Sequence, residues 1–322
     1  MASATSHTGS PAVSIVLPVF NEAGHLETEL DRIHKTMTDS GHSYEIVVVD
    51  DGSTDDSVAI LKTRTDIRLI AFDRNRGPGA ARKTGTEAAR GDIVVWTDVD
   101  MSYPNDQIPE LIDALAGHDQ VVGARTSEEG THRFARIPAK WMIRRLAEFL
   151  ARTPIPDLNS GFRAFRRDVA AQFTYLLPDG FSHVTTLTMV FLSNGYSVSY
   201  MEIDYAKRAG NSKFHWWVDT KRYLVQVTRM VMMWNPMRVV GPIAMVLLLL
   251  GGGKAIYDLF DKSFRIGTNT LLTLFAGGAL LVLALIADLI VQVTKPRLTV
   301  WPAAISSIEP NGPDDRGHAT ED

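Results

Sequence analysis

Residues 96–100 read Trp-Thr-Asp-Val-Asp, an apolar run that closes on two carboxylates flanking one residue. Open α/β sheets hold ligands at the carboxyl ends of their strands. Asp98 and Asp100 at such an edge would offer two hard oxygen ligands, which suit a divalent cation that in turn grips substrate phosphates. Taken alone, the pair also reads as a solvated turn after a strand, so its neighbours decide its meaning.

Two further segments end the same way. Residues 18–22 read Pro-Val-Phe-Asn-Glu, and residues 50–53 read Asp-Asp-Gly-Ser. Backbone amides at a helix start attract anions. Carboxylates do the reverse, so this edge is no phosphate cradle, though a carboxylate there can accept hydrogen bonds from a base or a ribose hydroxyl. Asp51 reads equally well as a helix cap. Residues 76–82 contain a Gly-x-Gly, but after the third strand and without the full spacing of a dinucleotide fold, and no Walker lysine motif is present. Both the NAD and the P-loop readings are therefore excluded. His183 and His215 read as packing or surface residues, and no histidine cluster suggests zinc.

The elements that must position these residues alternate regularly. Apolar strand-like runs cover residues 13–17, 44–49, 67–72, 93–97 and 121–123. Helical patterns cover 22–38, 54–63, 77–90 and 104–116, the first with Leu26, Leu30, Ile33 and Met37 at spacings of three and four. The second strand is continuous and β-branched, as expected when both faces are covered. This alternation predicts an α/β domain with a doubly wound, mostly parallel sheet. Beyond it, residues 127–136 read as a loop and 138–152 as an amphipathic helix. Residues 157–167 read as loop then strand, 181–193 as a helix and 197–203 as a strand.

Length and composition set the outer limits. The chain has 322 residues, 45% of them hydrophobic, a net charge of −4 and no cysteine. The charge argues against a general nucleic-acid binder. The missing cysteines remove disulfides, thiolate metal sites and thiol nucleophiles. The first eleven residues show no apolar core, so no signal peptide is expected, and residues 1–12 read as a disordered tail.

After residue 213 the character changes. Residues 214–238 mix Trp216, Trp217, Tyr223 and Trp234 with Lys221, Arg222, Arg229 and Arg238, as an interfacial helix requires. Residues 239–256 and 271–293 are apolar runs, each long enough to cross a bilayer's hydrocarbon. Their glycines invite close helix approach and self-association. Cations precede the first run and follow the second, while the connector is balanced, so both ends are expected in the cytoplasm and the connector outside. Residues 296–322 read as a disordered tail.

These segments together resemble a family. Residues 17–22, 49–55, 90–92 and 98–100 are similar to family 2 glycosyltransferases of the GT-A fold. Residues 121–125 (Val-Val-Gly-Ala-Arg), 157–165 (Asp-Leu-Asn-Ser-Gly-Phe-Arg-Ala-Phe) and 207–213 (Lys-Arg-Ala-Gly-Asn-Ser-Lys) resemble the polyprenyl-phosphate glycosyltransferases. That group includes dolichol-phosphate mannose synthase and the bactoprenol glucosyltransferases, the latter also with a two-span C-terminal hairpin. The resemblance covers about residues 13–295. It implies a GT-A domain over 13–213, with a juxtamembrane segment over 214–238 and two transmembrane helices within 239–295.

The resemblance also assigns roles. It implies that Pro18, Phe20, Asn21, Glu22 and Asp51 hold the nucleoside of a nucleotide-sugar donor. Asp98 and Asp100 would bind Mg²⁺ or Mn²⁺, Asp98 lying against the donor as well. Arg125, Arg163, Arg208 and Lys213 would bring positive charge to the phosphates, and Asp157 takes the position of a catalytic base. Arg125 and Arg163 also read as structural salt-bridge partners. The implied reaction moves one sugar, from UDP-glucose or another UDP-hexose, to polyprenyl phosphate at the cytoplasmic face of the cell membrane. GDP-mannose is the alternative donor. The processive synthases lack support, because residues 226–230 (Gln-Val-Thr-Arg-Met) miss the tryptophan of their motif. A nonenzymatic membrane partner is the remaining alternative. Phe20 and Ser160 depart from the residues usual at these positions in the family that the chain resembles.

Overall fold

The computed structural model describes residues 11–126, 145, 148, 153–180, 182–206, 232, 236–261 and 265–294. Arg208, Lys213, residues 1–10 of the first expected tail, all of the second, and most of the expected amphipathic segments over 138–152 and 214–238 lie outside the described residues.

Seven strands form one sheet: β1 (Val13–Val19), β2 (Tyr44–Asp50), β3 (Arg68–Ala71), β4 (Ile93–Trp96), β5 (Gln120–Arg125), β6 (Arg163–Arg166) and β7 (Val198–Ile203). Their spatial order is β3-β2-β1-β4-β6-β5-β7. β1 pairs in parallel with β2 and β4, β2 with β3, and β5 with β7. Only β6 runs the other way, inserted between β4 and β5. The consequence is functional. The carboxyl ends of β1, β2, β4 and β5 share one edge of the sheet, and β6 begins at that same edge.

Helices cover both faces. On one, α1 (Leu26–Ser40) and α4 (Ile108–Asp113) bury Leu30, Ile33, Met37 and Leu111 against Ile15, Leu17, Val48 and Val95. On the other, α3 (Pro78–Ala88), α5 (Arg167–Ala171) and α6 (His183–Ser193) pack Ala81, Val169, Leu187 and Phe191 against Val16, Val47, Val94 and Trp96. Residues of β1 alternate between these two clusters, as a strand covered on both faces must. The short α2 (Ser57–Thr63) starts three residues later than its sequence pattern implies. Asp55 explains this: its carboxylate accepts the amides of Ser57 and Ala23, holding residues 54–56 as a loop. The expected single helix over 104–116 is a 3₁₀ turn, Asn105–Gln107, running into α4.

Two long helices follow, α7 (Pro236–Asp261) and α8 (Thr268–Thr294). Both are long and apolar enough to cross a membrane, and only 11% of the most apolar window of each is buried. A soluble core helix would be mostly enclosed, so the exposed leucine-rich faces call for an apolar surrounding. The two helices pack on each other where glycines remove side chains. A Cβ on Gly251 would lie 2.9 Å from Leu274, and one on Gly277 would lie 3.0 Å from Leu248. Asp258 closes the turn: its buried carboxylate accepts the Gly267 amide at 3.0 Å and the Thr270 hydroxyl at 2.5 Å. Replacing Gly251 and Gly277 together by leucine is expected to force the helices apart. Overpacking of this kind costs about 1–3 kcal/mol per site, so the thermal midpoint of the detergent-solubilised protein should fall, while Gly252→Leu, where nothing lies within 4 Å, should leave it unchanged.

Candidate active site

The shared sheet edge gathers most of the residues singled out above. Phe20 follows β1, Asp51 follows β2, Asp98 and Asp100 follow β4, and Arg125 ends β5. Pro18 is tolerated inside β1 because pairing with β4 stops at Val16↔Trp96, below the proline.

The loops after β1 and β2 are sewn together. Asn21 takes a left-handed backbone, φ 58°, which asparagine accepts more readily than most residues. The Ser53 hydroxyl accepts its amide, and its side-chain carbonyl accepts the Thr54 amide at 2.8 Å. The Glu22 amide is accepted by the Ser57 hydroxyl. Phe20 projects its ring from this stitched base and is 39% exposed.

Asp51 is buried, and its two carboxylate oxygens accept the amides of Arg76 at 2.7 Å and Gly77 at 2.9 Å. It is therefore no cap for α2. It ties the loop before α3 to the end of β2. Burial pushes its carboxyl up, and the two amides oppose that shift. Gly77 needs its glycine there, with φ 104° and Asp179's carbonyl where a Cβ would sit. Asp51→Ala removes an acceptor shared by two amides. Hydrogen bonds to a charged group contribute about 1.5–3 kcal/mol each, so chemical denaturation should show a loss of at least about 2 kcal/mol.

The acidic pair stands on a braced turn. Asn105 donates to the Asp98 carbonyl and to buried Glu29, and it accepts the Thr97 hydroxyl. Met101 turns the chain with φ 61° and leaves its side chain 40% exposed. The Asp100 Oδ1 accepts both the amide and the hydroxyl of Ser102. Asp98 is half-buried, and its Oδ1 accepts Arg82 Nη2 at 2.7 Å.

Arg82 is the residue that sequence reasoning missed, and its partner His183, read above as a packing or surface residue, is buried. Arg82 points from α3 into the protein, 5.6 Å from the Trp96 ring, and its Nη1 lies 2.8 Å from His183 Nε2. They are 101 positions apart, so spacing gives no clue to their contact. The only sequence signal is that α3 buries a face of Gly79, Ala80, Ala81 and Gly85, small residues that leave room for one long side chain.

The remaining cations divide. Arg125 meets Asp157 in a two-pronged ion pair, with Nε–Oδ2 2.6 Å and Nη2–Oδ1 3.0 Å, and lies 5.2 Å from the Tyr205 ring. Burial raises the Asp157 carboxyl, but the Arg125 hydrogen bonds and charge, with the amides of Asn159 and Arg125, outweigh it and hold the group below the ordinary carboxylate value. Arg163 departs from its expected place beside substrate phosphates. Its side chain is enclosed, and its guanidinium donates to the carbonyls of Ser160 and Val184 and to the Thr188 hydroxyl. The Ser160 carbonyl, three residues earlier, and the Val184 and Thr188 oxygens of α6 hold the guanidinium in the interior. Burial, then the Arg82 charge, push its pKa down to about 10, so it stays cationic at neutral pH. The Arg-Gly-Asp of residues 90–92 lies outside the site altogether. It precedes β4, where the Arg90 and Gly91 amides meet the Ser14 hydroxyl.

Residues 14–173 of this sheet match the family described as "Glycosyl transferase family 2". Through its sheet domain the chain belongs to that family. Residues 235–293 match a second description, "GtrB C-terminal hairpin", which covers α7 and α8. Among curated proteins, this family 2 chain is similar to two enzymes named undecaprenyl-phosphate 4-deoxy-4-formamido-L-arabinose transferase. The one from Pseudomonas fluorescens strain SBW25 is 31% identical over 193 residues, covering 55% of this chain and 56% of the relative. The one from strain ATCC BAA-477 / NRRL B-23932 / Pf-5 is 34% identical over 193 residues, covering 55% and 56%. The chain thus spans about half the length of the curated relatives it matches. Among solved structures, glucosyl-3-phosphoglycerate synthase from Mycobacterium tuberculosis, in complex with Mn²⁺, UDP and phosphoglyceric acid, superposes with a TM-score of 0.56. The identity is 22%, over 69% of this chain and 78% of that one. That likeness establishes the GT-A fold.

Proposed function

We propose that this protein transfers one sugar from a nucleoside-diphosphate sugar to a polyprenyl phosphate, with inversion at the anomeric carbon. The observation that carries this reading is the joining, in one chain, of a family 2 sheet domain to a GtrB hairpin. A soluble acceptor gives no reason for two apolar helices, whereas a lipid acceptor does. The relatives' printed names support the lipid phosphate. The hairpin would cross the cell membrane twice with both ends cytoplasmic, holding the sheet edge at the level of lipid head groups.

The acidic pair fits a divalent cation. Asp98 and Asp100 supply hard oxygens from one turn, and among the described residues no group of three or more His, Cys, Asp or Glu side chains is gathered. Mg²⁺ and Mn²⁺ are often held by one or two carboxylates, with waters and substrate phosphates completing the shell. Mn²⁺ with UDP in the mycobacterial synthase supports the same donor class. When bound, the cation supplies charge neutralisation for the departing diphosphate.

The protein's own side chains do the rest. The exposed Phe20 ring offers a stacking face for the donor's base, and the stitched loop of residues 20–22 and 51–54 fixes its position. The acceptor phosphate has its second ionisation near pH 6, so at neutral pH the attacking oxygen is already largely anionic. It attacks the anomeric carbon opposite the diphosphate, the carbon–oxygen bond to that diphosphate breaks, and the bonding pair leaves with it. No side chain must take a proton. Asp157, paired and held ionised, is suited to orient Arg125 toward the two anions, with Arg208 and Lys213 proposed as further cations.

UDP-glucose leads among donors, with UDP-4-deoxy-4-formamido-L-arabinose and GDP-mannose as alternatives. The test incubates purified protein and decaprenyl phosphate with each labelled donor. Label recovered in the organic phase from one donor is the expected result. An insoluble polymer, or no transfer from any donor, contradicts the proposal.

A further inference from the structure

Arg125 ends β5 with its guanidinium held along one edge, where Nε and Nη2 reach the two oxygens of Asp157 at 2.6 and 3.0 Å. An edge contact leaves one motion open, because the planar group can tilt about the line joining the two hydrogen bonds. The Tyr205 ring closes it. Arg125 Cζ sits over that ring, 5.2 Å from its centre, within the range where a cation is drawn to an aromatic face. We infer that Tyr205 is a positioning residue, whose ring sets the tilt of the Arg125 guanidinium and, through Tyr103, its place relative to the turn that carries Asp98 and Asp100. The role rests on the proposed function, which puts Arg125 beside the two anions.

Tyr205 is itself tied down on the far side. Its ring meets the Tyr103 ring edge-on, with centroids 5.1 Å apart. Tyr103 is buried, three residues beyond Asp100. It stacks on Phe162 at 5.8 Å, and its hydroxyl accepts the Gly161 amide at 2.7 Å. The backbone repeats the link. The Ala206 amide donates to the Ser102 carbonyl at 3.0 Å, and the Thr126 amide donates to the Ile203 carbonyl at 3.2 Å. Residues 203–206 thus bridge the end of β5 and the acidic turn, and Tyr205 supplies the ring in that bridge that meets Arg125.

The proposed transfer exchanges one anion for another at a single carbon, so the aim of a nearby cation matters as well as its charge. A guanidinium is a planar fork whose donors point in fixed directions, whereas an ammonium is a compact point charge. Arg125→Lys therefore keeps the charge beside Asp157 and removes the plane that Tyr205 orients. The ring should matter greatly to the arginine and little once lysine replaces it. A ring that served only to fill space would matter equally in both.

The test uses the full-length protein in detergent with decaprenyl phosphate and labelled UDP-glucose, or in its place whichever donor named above the wild type uses. Misplacing a group by about 1 Å can cost about 100-fold in rate, so Tyr205→Leu should lower kcat about 10- to 100-fold. The donor KM should stay as in wild type, the pattern of a contact that counts in the transition state alone. Tyr205→Phe keeps the aromatic face and should retain turnover within about threefold. In the Arg125→Lys background, itself slower than wild type, Tyr205→Leu should cost less than about twofold more, the non-additivity of residues that act through one another. Should Tyr205→Leu fail to fold, Tyr205→Met, nearer to tyrosine in length, takes its place. An equal loss in both backgrounds, or Tyr205→Leu turnover within about threefold of wild type, overturns the inference and leaves the role of Arg125 standing. Arg125→Lys that turns over as fast as wild type removes Arg125 from the chemistry, and wild-type protein that uses no donor overturns the proposed function. In either case this inference falls with the reading it rests on.

Discussion

Replacing Asp98 or Asp100 by asparagine is expected to lower sugar transfer about 100- to 1,000-fold without unfolding the sheet domain. The size follows from the proposed chemistry. Nucleophile and leaving group are both anions, and charge placed where negative charge develops is worth about 3–4 kcal/mol per well-aimed group in a site that excludes water. Asparagine keeps the shape and can still accept from Ser102 or Arg82 through its carbonyl, so the turn braced by Asn105 should survive. Product formation with labelled donor reads the activity, and near-ultraviolet circular dichroism reads the packing around Trp96. Activity within about threefold of wild type, or loss that EDTA does not reproduce in the wild type, would remove these residues from the centre of the proposed chemistry.

The second large effect concerns stability. Arg125→Met is expected to destabilise the sheet domain by about 3–5 kcal/mol at pH 7, because it leaves the Asp157 carboxylate buried without its two-pronged partner. Arg125→Met combined with Asp157→Leu should recover much of that loss, since an apolar pair of similar volume carries no stranded charge. The pH dependence has a definite sign. Asp157 is held below its ordinary carboxylate value in the folded protein. Its contribution is therefore complete above the unfolded carboxylate pKa and fades as pH falls through the lower, folded value. The double variant should lose that part of its acid sensitivity. Urea denaturation from pH 7 down to pH 3 measures all of this. Full stability of Arg125→Met at pH 7 would contradict the description of the pair.

The same pair bears on the chemistry. A carboxyl held ionised by a guanidinium is a poor proton acceptor, and a lipid phosphate monoester hardly needs one. Asp157→Asn is consequently compatible with continued turnover, whereas a true base would not be replaceable. The distinction separates this acceptor class from a sugar hydroxyl, whose proton must be removed.

The sheet's main features were legible because both-face burial writes continuous β-branched runs, as in residues 46–49 and 93–96. The acidic pair stood out only through its company, since alone it also reads as a solvated turn, and the strand ends at 18–22 and 50–53 set it at a shared edge. Direction was not. Residues 163–166 have a strand's composition, but nothing local distinguishes antiparallel insertion between β4 and β5 from a parallel continuation. That unseen reversal also hides the fate of Arg163, since a cation's sign is readable in sequence while its orientation is fixed by the strand that carries it. Arg82 escaped for a related reason. It is a single polar residue on a helix, and its contacts with Asp98 and with His183 arise only where α3 and α6 meet. Asp51 was read both as a cap and as a base contact. Its carboxylate caps no helix but accepts amides 25 and 26 residues further on, a loop contact that periodicity cannot express.

The central claim is that the turn after β4 holds the ion against which the donor's diphosphate departs. Crystals of the protein grown with Mn²⁺ and UDP, measured at the manganese absorption edge, test it most directly. The account predicts one anomalous peak at about 2.0–2.2 Å from carboxylate oxygens of Asp98 or Asp100, shared with the diphosphate. A bound UDP with its manganese coordinated elsewhere, and no peak beside that turn, would contradict it.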